Sequence, residues 1–246
     1  MRATEFEFRY RFWINGLIFW AAFSCYPIDH VNAAVAIAQW ITGMSADLHS
    51  AHFRAVVQLV FASAAALTFA AAMIRTWGTA YLRSDVVHDL DLHNEALVAD
   101  GPYRYVRNPL YFGTVLMGAG IGLMASRLGW FVLVILLYFF HRRLIGREEA
   151  ELRKTQGESY ETYCARVPRF WPAPWPRVAA GRMKPRWKQA FQGESLIWAL
   201  AVVVAFFAVT LQQHAAYEGI GVALTVYAIV VFGLRRWRHK QAALPR

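Results

Sequence analysis

Apolar residues in this chain run in long blocks rather than amphipathic stripes. That pattern leaves few folds open. Backbone inside lipid must satisfy its own hydrogen bonds, so such blocks become helices. Crossing the hydrocarbon core takes about 20 apolar residues. Blocks approaching that length fall at Phe12–Tyr26, Phe53–Ile74, Leu110–Ala125, Gly129–Phe140, Leu196–Leu211 and Ile220–Leu234. The expected fold is therefore an all-α integral membrane protein with about six transmembrane helices. Ala33–Ile41 is apolar but too short to span. It reads as a re-entrant or interfacial piece, or as a continuation of the first hairpin. Of the 246 residues, 57% are hydrophobic and 17% charged, against about 25% charged in soluble domains.

The net charge of +10 does not point to nucleic acid, because the basic residues flank the apolar blocks. With the N-terminus inside, the outer side holds only Arg54 and Arg127, leaving 24 of the 26 Lys and Arg inside. Both termini are thus expected in the cytoplasm. No small-residue cleavage site follows the first block, which argues against a secretory signal. Cys25 and Cys164, one in a span and one in a polar loop, imply neither disulfide nor zinc. His88 and His93 sit among Asp85, Asp89, Asp91 and Glu95 without compact ligand spacing, so no metal is expected.

Ser126, Arg127 and Leu128 join two apolar blocks and force an antiparallel hairpin. Polar cassettes lie at both of its inner ends: Gly101 to Gly113 (GPYRYVRNPLYFG) before, Arg147 to Pro168 after. In the first, Asn108-Pro109 reads either as a simple helix start or as part of an anion site. In the second reading Arg107, Asn108 and Tyr111 supply donors at a helix N-terminus. In the other cassette, Glu148-Glu149 reads either as a solvated face with weak surface pairs or as a carboxylate pair facing a cation. Tyr160 and Tyr163 share a face with Leu152, as an amphipathic interfacial helix would. Gly118, Gly120 and Gly122 follow no strand, so they read as close helix packing. Val167–Phe191, rich in Pro, Trp, Arg and Lys, reads as a connector on anionic lipid. Three segments are expected: N-terminal helices over 1–85, a core over 86–176, and the connector with two further helices over 177–246.

Taken in order, the cassettes resemble the isoprenylcysteine carboxyl methyltransferase family and the related phospholipid methyltransferases. The resemblance covers roughly Val86 to Pro172. It rests on Leu97-Val98, Gly101, Tyr103, Arg107-Asn108-Pro109, Tyr111 and Gly113. After the hairpin it rests on Glu148-Glu149, Leu152, Gly157, Tyr160, Tyr163 and Val167-Pro168. Asn108 stands where the carboxyl methyltransferases usually carry His, as in fungal-type phospholipid methyltransferases and many bacterial relatives. Gln156 stands where Phe is usual.

The resemblance implies a membrane methyltransferase with S-adenosylmethionine in a pocket open to the cytosol. Tyr103, Arg107, Asn108, Tyr111, Glu148 and Glu149 would bind the cofactor. Arg142, Arg143 and Glu149 would serve catalysis: the arginines would hold a carboxylate acceptor, and a glutamate would take the proton of an amine. It also implies a lipophilic or lipid substrate, contact with membrane lipids, and residence in a bacterial inner membrane. Phospholipid N-methylation and methylation of a thiol or small lipophilic molecule stand as alternatives. No feature favours the related sterol reductases. A transporter would carry mid-membrane charges or broken repeats, whereas polar residues here gather at one face.

Overall fold

The computed structural model describes residues 2–82, 99–212, 214, 215, 218–227 and 229. His88, His93, their acidic neighbours and Leu97-Val98 lie outside them. The described residues are helical, with one isolated antiparallel bridge between Asn32 and Ser126. The helices are α1 (Glu5–Arg9), α2 (Arg11–Phe23), α3 (Ala33–Thr42), α4 (Ala51–Tyr81), α5 (Pro109–Ile121), α6 (Arg127–Arg166), α7 (Trp187–Gly193), α8 (Ser195–Thr210) and α9 (Glu218–Tyr227). Among the described residues, two of the six expected spans appear as single helices long and apolar enough to cross a membrane, α4 and α6, while the last, Ile220–Leu234, lies partly outside those residues. A third appears if α7 and α8, bent by 62°, count as one. The other apolar helices are shorter. The 13 residues of α5 reach about 20 Å, less than the ~30 Å hydrocarbon core.

The 31-residue α4 is the central post, about 46 Å long. α5 runs antiparallel along it, with Gly78 against Leu110 and Gly120 against Ala64 and Thr68. A Cβ at Gly120 would lie 2.7 Å from the Ala64 carbonyl oxygen. The glycines of α5 therefore serve close packing, as their setting predicts. On the opposite side, α8 follows α4 from Trp198, bonded to Thr76 Oγ1 at 2.9 Å, to Phe207, stacked edge-on against Phe61. Turn residues 122–126 close the α5–α6 hairpin at the end away from the cassettes.

The first apolar block, Phe12–Tyr26, forms α2 and ends before α3. α2 packs along α6, with the Ala22 carbonyl against Gly129, and the chain then turns. Asn32 caps α3 through Ala34 N and Val35 N while its amide donates to the Met124 carbonyl oxygen at 3.0 Å. Arg127 clamps Asp29 at 2.9 Å beside this turn and holds its carboxyl down to about 2. α3 then packs on α4, so Ala33–Ile41 lies in a ten-residue helix, Ala33–Thr42, that continues the first hairpin and is not a span.

Candidate functional site

Both cassettes meet at one end of the α5–α6 hairpin. Asn108 occupies the N-cap position of α5, yet its side chain makes no capping bond. Its amide donates instead to the Arg169 carbonyl oxygen at 2.9 Å and to Glu149 Oε1 at 3.4 Å. The helix-start reading thus accounts for Pro109 but not for the Asn108 side chain.

Glu149 is 2% exposed, which rules out a solvated face. Arg107 approaches it at 3.2 Å, Arg169 at 3.0 Å and Arg153 at 3.8 Å. Three guanidiniums around one buried carboxylate leave a local excess of positive charge. Arg107 also donates to Cys164 Sγ at 2.7 Å, and its backbone N–H donates to the Pro168 carbonyl oxygen. Cys164, expected in a polar loop, sits in the last turns of α6. The polar composition of that segment reflects its partners rather than a loop.

Glu148 behaves differently. It is half-buried and accepts the Tyr111 hydroxyl at 2.5 Å. Among the described residues no cation lies within ion-pair distance of it. The Tyr111 ring packs on His141, 5.2 Å between centroids. His141 is buried, with Nε2 at 3.1 Å from Asn15 Oδ1 of α2. The HRR exit therefore divides. Arg143 turns to Glu7 at 2.8 Å, while Arg142 is exposed and touches only the Tyr138 hydroxyl and ring. Arg142 and Arg169 line a cleft of about 290 Å³ with Tyr138, Ile145, Pro168, Phe170 and Trp171. A second cleft of about 590 Å³, with Arg2, Arg143 and Arg153, opens beside it.

Gly157 has φ +54° and ψ −130°, a conformation that side chains rarely adopt, and it kinks α6. Beyond the kink, Tyr160 and Tyr163 are buried with Val167, and half-buried Leu152 packs against them. They form no lipid-facing stripe. Tyr163 donates its hydroxyl to the Tyr103 carbonyl oxygen at 2.7 Å, tying the last turns of α6 to the first cassette. Tyr103 is itself buried, and burial pushes its phenol well above its ordinary value. It remains a neutral donor.

Sequence reasoning missed three parts. Arg169 lies beyond the second cassette and is brought to Glu149 by the turn after α6. Asn15 and His141 meet across 126 residues. Arg75 pairs with Glu194 at 2.8 Å while donating to Thr114 Oγ1 and to the Leu110 carbonyl oxygen. In each case the partners are far apart in the chain, so no local pattern marks them. Only the lone arginine near the end of an apolar block was a signal for Arg75.

The sequence profile of the phospholipid methyltransferases matches residues 59–159. That stretch runs from the first third of α4 through the first cassette and into the second, ending just past the Gly157 kink. Over that stretch the chain is similar to this membrane methyltransferase family. The protein-S-isoprenylcysteine O-methyltransferase of Schizosaccharomyces pombe is 41% identical over 76 residues, 29% of this chain. This chain spans 31% of that relative's length. No solved structure matches.

Proposed function

We propose that the protein transfers a methyl group from S-adenosylmethionine to a lipophilic acid, at the end where α5 and α6 leave the membrane. The gathering of Lys and Arg near that end supports a cytoplasmic location for it and for both termini, in what we take to be a bacterial inner membrane. The observation that carries this reading is the contrast between the two glutamates. Glu149 is saturated by three arginines, whereas Glu148 has one phenolic donor and no cation among the described residues.

Glu148 fits the cationic part of the cofactor, oriented by the Tyr111 hydroxyl. Glu149 holds Arg107 and Arg169 in place, with Asn108 and Tyr103 fixing the first cassette against the turn after α6. Bound there, S-adenosylmethionine supplies an electrophilic methyl group on a positively charged sulfur. Arg142, free of any carboxylate among the described residues, and Arg169 offer cations to an acidic acceptor in the adjoining cleft. The Tyr138, Phe170 and Trp171 rings give its apolar part a wall. Such a site works by alignment and by keeping water from the acceptor oxygen. An excess of guanidinium repels an ammonium acceptor, so the cleft favours a carboxylate over a phospholipid amine.

The test is methyl transfer with labelled cofactor to a prenylated cysteine analogue and, separately, to phosphatidylethanolamine. Label in the carboxylate ester and none in the amine is expected. Label in the amine alone would overturn the acceptor assignment, and label in neither would remove the reading.

A further inference from the structure

Between Glu161 and Glu194 the chain carries seven basic residues and no acidic one. The structure fixes this stretch as a strap rather than leaving it as a tether. Ala173 N–H donates to the Tyr105 carbonyl oxygen at 2.9 Å, and Arg177 N–H to that of Arg104 at 2.8 Å. Buried Asp100 accepts the Gly181 and Met183 amides at 2.5 and 3.1 Å. Arg186 N–H closes the strap on the Ala80 carbonyl oxygen, in the last turn of α4. At the other end Phe170 and Trp171 pack edge-on against Phe112 in the first turn of α5. The strap is thus pinned to the ends of α4 and α5. It lies across the C-terminal end of α4 and the first turn of α5, beside the polar cassettes.

The backbone points inward and the side chains point out. Arg177, Arg182, Lys184 and Lys188 are exposed. So are Trp171 at 67%, Trp175 at 74% and Trp187 at 46%. The nearby carboxylates are already engaged: Glu149 by Arg169, Glu161 by Arg153, Glu194 by Arg75 and Asp100 by the strap's own amides. Arg177, Arg182, Lys184 and Lys188 therefore have no internal counter-charge among the described residues. Tryptophan with lysine and arginine in one plane is the composition that seats at an anionic headgroup layer. Because the backbone is already ordered, little conformational entropy remains to be lost on docking.

We propose that the strap is a docking surface for anionic lipid headgroups in the leaflet at the site's end of the molecule. Its root at Pro168-Arg169 holds Arg107 and Glu149, so leaflet charge acts directly on the frame of the site. That last consequence rests on the function proposed above; the docking itself does not.

The experiment uses the full chain in vesicles and reads tryptophan quenching, with no cofactor present. Brominated phosphatidylglycerol should quench about twofold more than brominated phosphatidylcholine at equal mole fraction. The excess should fall with Trp175→Phe, shrink in high salt, and vanish in Arg182→Gln/Lys184→Gln/Lys188→Gln. Equal quenching by the two lipids would overturn the proposal, as would an excess retained by the triple variant. A strap that docks in a protein failing to transfer methyl groups would leave this inference standing and remove the function alone.

Discussion

The two adjacent glutamates differ because one carries a surplus of partners and the other a deficit. Glu149→Gln strands Arg107 and Arg169, partly buried guanidiniums. Breaking such a pair costs about 3 kcal/mol or more, so a clear drop in the melting temperature is expected. Glu148→Gln keeps an acceptor for Tyr111 and removes a half-buried charge that has no ion pair among the described residues. It should leave thermal stability unchanged or higher while weakening cofactor binding about tenfold or more. Equal destabilisation by both variants would erase the distinction. Gly157→Ala places a side chain at φ +54° and should cost about 1–3 kcal/mol. Faster proteolysis near Tyr160 would be the sign, because the kink sets how Tyr160 and Tyr163 reach their buried partners. At this scale the family spacing made Asn108, Tyr111, Glu148 and Glu149 legible as one group. It did not make legible that two of them donate to the other two, because a cap and a cross-helix bond use the same amide.

The helices carry the site through a few close approaches. Arg75 joins α4, α5 and α8: its guanidinium reaches Glu194, Thr114 and the Leu110 carbonyl just before Tyr111. Thr79 adds a 2.7 Å bond to the same carboxylate. Arg75→Leu or Glu194→Leu alone leaves an unpaired buried charge. Each should lower stability by about 3 kcal/mol or more, while the double change should be milder than either. Unfolding in mixed detergent micelles measures it, and additive losses would show that the pair is not a unit. Gly120→Leu should separate α5 from α4, since even a Cβ meets the Ala64 carbonyl oxygen at 2.7 Å. Hydropathy separated Phe12–Tyr26 from Ala33–Ile41, where α2 and α3 part, and placed the α5–α6 hairpin. It could not show how few of the six expected spans are long enough, because apolar composition does not report where a helix breaks: two, or three with the bent pair, pass among the described residues. Nor could it show that α5 is too short to span alone, since an apolar run continues through the 3₁₀ turn at Gly122–Met124.

For the whole molecule, one end is built differently from the rest. The cassettes, the Glu149 cluster, the arginine-lined clefts and the basic strap all gather where α4 and α5 end. The opposite end holds the Asp29–Arg127 clamp and the α3–α4 turn. This polarity was visible in the distribution of Lys and Arg. The bonds that convert it into a site, such as Arg169 to Glu149, depend on how the chain turns after α6 and carry no sequence signature of their own. Such an arrangement suits a water-soluble methyl donor meeting a membrane-dissolved acceptor. The central claim is that Glu148, beside Tyr111, receives the cationic donor. Calorimetric titration of the folded, monodisperse protein with S-adenosylmethionine and its demethylated product tests it most directly. The account predicts binding of the donor at roughly micromolar affinity, weakened by Glu148→Gln at unchanged thermal stability. No heat of binding from either ligand, or undiminished affinity in Glu148→Gln, would contradict it.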